Sequence, residues 1–75
     1  MNKDKDFQRY FTYDADTDTY VSTQGDHEVI FYQVGDSYLV TKYIYEKGEK
    51  VYIGNDFDLA IFEAVKAVES VIVAQ

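Results

Sequence analysis

The feature that most constrains this 75-residue sequence is a glycine–aspartate pair between two apolar segments. Gly35-Asp36 follows Glu28–Val34 (EVIFYQV) and precedes Tyr38–Tyr45 (YLVTKYIY). Both segments are rich in β-branched and aromatic residues, and a two-residue loop containing glycine is a common connection between antiparallel strands. The sequence therefore predicts a central β-hairpin, and the loop length predicts that Val34 lies opposite Ser37.

Shorter segments on both sides extend this hairpin into a meander. Phe7–Tyr13 (FQRYFTY) alternates loosely and is interpreted as a strand, with a short helix as the alternative. Tyr20–Thr23 and Lys50–Ile53 are interpreted as further strands, the latter following a predicted four-residue turn at 46–49. Residues 1–6 are charged and are expected to form a flexible polar tail. Four or five antiparallel strands would then follow one another along the chain.

The last third of the chain has helical spacing. Asn55 is a suitable N-cap, and acidic residues follow it where the helix dipole favours negative charge. We therefore predict a helix over 56–73, with a buried stripe of Phe57, Ile61, Ala64, Val65, Val68 and Ile72. Because the chain is short, residues 1–75 are expected to form a single α+β domain: an antiparallel four- to five-stranded meander sheet with one C-terminal helix packed on one face.

The composition excludes several classes of partner. Fourteen acidic residues oppose seven basic ones, giving a net charge of −7. Nucleic acids and anionic lipids both require clustered Lys and Arg, so we expect neither direct nucleic-acid binding nor membrane binding.

The sequence has no cysteine, no visible signal-peptide pattern and no apolar run of membrane-spanning length. We therefore expect a cytoplasmic protein.

The predicted register divides the sheet into two faces, of which a single helix can cover only one. One set of residues carries no charge and is assigned to the helix: Ile30, Tyr32, Val34, Leu39, Tyr43, Val51 and Ile53. The other set mixes Lys42 and Lys50 with large apolar side chains, a combination typical of an interaction surface. We predict that Phe31, Tyr38, Val40, Ile44 and Tyr52 form a partner-binding patch on that face, unless the N-terminal hairpin folds over it.

The motifs give little support for catalysis or metal binding. Asp14, Asp16 and Asp18 resemble the start of a calcium loop, but Thr19 and Gly25 occupy the positions where that loop needs Gly and Glu. His27 is the only histidine. A metal site or a nucleophilic triad needs more partners than this sequence offers close together. We therefore expect no metal, no cofactor and no enzymatic activity.

The sequence thus favours a small non-catalytic protein-binding module, acting as a stoichiometric inhibitor or an adaptor. Asp14, Asp16 and Asp18 would steer a basic partner toward it. One alternative is a homodimer that pairs its apolar patches. The other is mimicry of nucleic acid, in which these three carboxylates form a row on one side of an extended segment and occupy a DNA- or RNA-binding protein.

Overall fold

The computed structural model describes residues 2–74, with the side chains of residues 4–73, and has two helices and five strands in this part of the chain. Their order is α1 (Asn2–Tyr10), β1 (Thr12–Asp14), β2 (Thr19–Gln24), β3 (His27–Val34), β4 (Ser37–Ile44), β5 (Lys47–Gly54) and α2 (Phe57–Ala74). The strands form one antiparallel sheet in the order β1-β2-β3-β4-β5. The predicted α+β class, the meander sheet and the C-terminal helix are confirmed.

The central hairpin has the predicted register. Val34 lies opposite Ser37 across a loop in which Gly35 has a φ of 60°. The pairs that follow, Tyr32 with Leu39 and Ile30 with Thr41, continue the same register. The two-residue loop was therefore a sufficient signal for the alignment of β3 and β4.

The turn between β4 and β5 differs from the prediction. The loop is Tyr45-Glu46, and Tyr45 has a φ of 58°, a left-handed conformation in which glycine is usual. Tyr43 consequently lies opposite Gly48, and its ring covers this glycine: a Cβ added there would lie 2.7 Å from Tyr43 Cε1. A register shift further along leaves Val51 as the extra residue of a β-bulge.

Residues 2–10 are helical, so the predicted flexible tail is wrong for residues 2–6 and the predicted strand is wrong for residues 7–10, where the alternative of a short helix is correct; Thr12 and Tyr13 do belong to a strand, β1. Residues 2–10 form α1, and Phe7 and Phe11 stack with their ring centroids 4.4 Å apart. Side chains four residues apart meet in this way on one face of a helix. Both rings are buried, and Phe7 also contacts Phe31 of the sheet at 5.3 Å.

Helix α2 begins one residue later than predicted, and Asp56 rather than Asn55 caps it. Asp56 Oδ1 accepts a hydrogen bond from the Leu59 N–H over 3.1 Å, and its carbonyl accepts the Ala60 N–H. The buried face consists of Ala60, Ile61, Ala64, Val65, Ala67, Val68 and Val71. Phe57 and Ile72, both predicted to be in this stripe, are exposed.

Both helices pack on the same face of the sheet, and it is the face that the sequence analysis left free. Val29, Phe31 and Val40 are at most 5% exposed and form the core with the helices, so the face assignment is wrong. The charged members of this face, Lys42 and Glu49, are paired across strands at its margin. These two charged residues therefore lie at the border of the helix–sheet interface, and their presence does not indicate that its centre is exposed to solvent.

The two edges of the sheet are poorly suited to pairing with further strands. At one edge, β1 contains only three residues. At the other edge, β5 carries Lys47 and Lys50 and is bent by the bulge at Val51. Short length, lysine and bulges are the devices by which natural sheets avoid edge-to-edge association.

Candidate functional site: the open face of the sheet

The face of the sheet opposite the helices carries a broad apolar surface, here called the open face. In the described part of the chain, no helix packs on it. Its exposed or half-buried apolar residues are Val21, Ile30, Tyr32, Val34, Leu39, Tyr43 and Ile53. Glu28 and Lys50 lie on the same face, opposite Tyr43 and Thr41, so the apolar residues have charged neighbours, a combination typical of an interaction site.

Cross-strand pairing makes the open face continuous. Tyr32 lies opposite Leu39, which in turn lies opposite Ile53, so three apolar side chains cross β3, β4 and β5 in a row. In a neighbouring row, Val21 lies opposite Ile30. Val34 and Ile53 are the most accessible, at 59% and 56% exposure. The apolar side chains of the open face therefore form a continuous patch across four strands.

Acidic residues border the open face beside β1 and β2. A shallow hollow of about 850 Å³ begins at Val21 and Ile30 and extends to Asp14, Asp16 and Glu28. Toward the opposite edge, Lys50 lies across from Thr41. The apolar patch therefore has an acidic border on one side and Lys50 toward the other.

The five residues predicted to bind a partner are not together on an accessible surface. Phe31 and Val40 are in the core, at 5% and 0% exposure, because α1 and α2 cover them. Tyr38 and Tyr52 are half-buried against the same core. Only Ile44, near the end of β4, is exposed, at 40%. None of the five belongs to the open face.

The sequence grouped most open-face residues together as one uncharged set, but that set was predicted to lie beneath the helix. Six of the seven belong to the uncharged set that was assigned to the helix, and the seventh, Val21, lies on β2 opposite Ile30. The i,i+4 spacing of Phe7 and Phe11 was a signal for a second helix, but it does not indicate which face of the sheet the helices cover.

Asp14, Asp16 and Asp18 lie together in the β1–β2 hairpin, but they do not form an extended row. Asp14 ends β1, whereas Asp16 and Asp18 belong to the turn, where Asp18 has a φ of 55°. Asp14 Oδ1 accepts the Asp16 N–H over 3.0 Å, and Asp18 Oδ1 accepts the Tyr13 hydroxyl over 2.6 Å. The spacing expected for a nucleic-acid-like row is therefore absent here.

Two tyrosine hydroxyls are held by carboxylates. The hydrogen bond to Asp18 raises the pKa of Tyr13, with desolvation and the Asp18 charge adding to the effect. The Tyr45 hydroxyl donates to Asp26 Oδ2 over 3.1 Å, and this bond raises the pKa of Tyr45. Both phenols therefore remain protonated at neutral pH, and each donates a hydrogen bond that links two parts of the chain near a turn.

Within residues 2–74, no group of three His, Asp or Glu side chains is arranged to hold a metal ion. No helix of the described chain has the length and apolar character needed to cross a membrane. Comparison with protein-family models, with curated proteins and with solved structures finds no match to this chain.

Proposed function

We propose that this protein is a small non-catalytic binding module that docks a basic protein partner on its open face. The observation that supports this most directly is the uncovered row of Tyr32, Leu39 and Ile53 in a domain whose other sheet face is filled by helices. In this role it would act by stoichiometric association, as an inhibitor or an adaptor. A cytoplasmic location is part of the proposal, supported by the absence of cysteine.

The shape of the open face favours a macromolecular partner. It is broad and spread over four strands, whereas small-molecule sites are concave and enclose most of their ligand. The edges of the sheet, with three-residue β1 and bulged β5, disfavour addition of a partner strand. We therefore favour a partner that contacts the side chains of the open face over one that adds a strand to an edge of the sheet.

The charge of the chain favours a basic partner over a second copy. Two copies that stack their open faces would each bring a net charge of −7. A partner with basic residues around an apolar patch would instead meet the acidic border at Asp14, Asp16 and Glu28. Such complementarity steers encounter and raises the association rate more than the affinity. Asp18 would contribute to the same field from the neighbouring turn.

The proposal is tested by capturing partners from cells of the source organism with matched variants. Leu39→Gln and Ile53→Gln place amides on the open face, whereas Val73→Gln makes a comparable change on α2, where Val73 is 85% exposed. We expect one or more proteins to bind the wild type and Val73→Gln and to be lost from both open-face variants. Their release should increase with salt, since the border is acidic.

Light scattering after size-exclusion chromatography distinguishes the proposed monomer from a homodimer in which two open faces pair. We expect a monomer at high protein concentration. A dimer that Leu39→Gln dissociates would instead show that the open face pairs with itself. If both open-face variants capture the same proteins as the wild type, the face is not the docking site. Circular dichroism of each variant checks that these exposed substitutions leave the fold intact.

A further inference from the structure

The helical side of the sheet contains a second candidate site, an aromatic groove that the helices leave open. Tyr20 on β2, Phe31 on β3 and Phe57 at the start of α2 are shared by two adjoining hollows, of about 350 and 360 Å³. These three residues define the aromatic groove. It lies on the face of the sheet opposite the open face, so it stands independently of the function proposed above.

The rings are arranged as a floor with two walls. Phe31 is only 5% exposed and forms the floor. The Tyr20 ring is inclined to it by 69° at a centroid distance of 6.1 Å, and the Phe57 ring by 85° at 6.3 Å. Tyr20 and Phe57 are 39% and 48% exposed, so both walls keep part of their surface accessible.

The groove has a negative electrostatic character. The faces of aromatic rings carry a negative potential that attracts cations. Asp4 lines the first hollow and Asp18 the second, and no Lys, Arg or His is found among the described residues that line either one. The remaining polar lining consists of neutral groups, which include Gln8 and Gln33. A ligand with a weakly hydrated positive charge is therefore the best chemical match.

We propose that the aromatic groove binds the guanidinium group of an arginine side chain presented by a peptide or protein. Arginine stacks on aromatic faces more readily than lysine because its planar cation is more weakly hydrated. The guanidinium would lie over Phe31 between Tyr20 and Phe57, and its N–H groups would reach a carboxylate at one end of the groove. Asp4 lines the first hollow, on the α1 side of the groove, and Asp18 lines the second.

The test uses two small probes of nearly the same shape: Nα-acetyl-arginine methylamide and its citrulline counterpart, in which a neutral urea replaces the charged guanidinium. Each is titrated at constant ionic strength into isotopically labelled protein, and the ring resonances of Tyr20 and Phe57 are followed by NMR. We expect arginine to shift both rings and to bind at least about tenfold more tightly than citrulline, the factor that corresponds to a cation–π contact of moderate strength.

Two variants assign the effect to the groove. Phe57→Leu keeps an apolar side chain at an exposed position but removes the ring face, and we expect it to weaken arginine binding about tenfold. Tyr45→Leu removes an exposed ring at the far turn and should leave binding unchanged. The proposal is overturned if arginine and citrulline bind alike, if arginine shifts neither ring, or if Phe57→Leu binds as the wild type does. None of these outcomes depends on the open face.

Discussion

A matched pair of valine-to-alanine substitutions tests the assignment of the two sheet faces. Val40 and Val34 belong to neighbouring strands of one hairpin, but Val40 is 0% exposed beneath the helices and Val34 is 59% exposed. Both substitutions remove the same two methyl groups and the same β-propensity. The difference between their effects therefore isolates what burial contributes on the helical side.

The expected magnitudes follow from burial. At Val40, the lost transfer free energy is about 1.6 kcal/mol, from roughly 0.8 kcal/mol per buried methylene equivalent. The cavity left behind adds about 1 kcal/mol. The lower β-propensity of alanine costs about 0.5 kcal/mol at either site. We therefore expect a loss of about 3 kcal/mol for Val40→Ala and about 0.5 kcal/mol for Val34→Ala.

Urea denaturation followed by far-ultraviolet circular dichroism measures both values. A domain of this size should unfold with a total free energy of about 4–11 kcal/mol, so Val40→Ala is expected to stay folded before urea is added. With a slope of about 1 kcal/mol per molar urea, its midpoint should fall about 2–3 M below that of Val34→Ala. Equal midpoints, or a lower midpoint for Val34→Ala, would refute the placement of the helices on the Val40 face.

Three further predictions concern the helices and the first hairpin. Asp56→Ala removes the cap of α2 and should lower the free energy of unfolding by about 1 kcal/mol, whereas Asn55→Ala should be nearly neutral in the same urea assay. Phe7→Ala should cost about 3 kcal/mol, and a cost near zero would show that α1 does not dock. Since the pKa of Tyr13 is raised in the folded state, its contribution to stability is complete at neutral pH and is lost as the pH rises above about 10. Asp18→Asn should lower that pKa in an NMR titration of the Tyr13 ring, and an unchanged pKa would contradict the hydrogen bond.

The parts of the fold that were predictable are those determined by local chemistry. Gly35-Asp36 determined the register of β3 and β4, because a two-residue loop permits one alignment of its strands. The spacing of Ile61, Val65 and Val68 located α2 to within one residue at each end. These signals act over a few residues.

One part that failed depends on contacts that are distant in sequence. The Phe7–Tyr13 segment is compatible with either periodicity, and the helical form gains from packing Phe7 against Phe31 of the sheet. The β4–β5 turn failed for a local reason: it was predicted at 46–49, whereas the structure turns at Tyr45-Glu46 with Tyr45 at a positive φ, and Gly48 lies beneath the Tyr43 ring.

The sequence allowed the prediction that one face of the sheet carries an uncovered apolar surface, but it did not show which face. The expectation that one sheet face has apolar residues without a helix over them agrees with the structure, but Phe31 and Val40 belong to the other face. Charge near Lys42 was taken as a sign of exposure for the whole face, although burial varies along a single strand. The aromatic groove could not be found from sequence, because Tyr20, Phe31 and Phe57 come together only in three dimensions.

The bulge at Val51 and the three-residue strand β1 limit how this sheet can take part in assemblies. A sheet with unprotected borders can grow sideways without end, each added chain offering the next a fresh template. Here neither border favours a further strand, so association through the sheet would use side chains on its faces rather than its edges. Complexes built this way are finite in size, and raising the protein concentration saturates them rather than extending them into fibres.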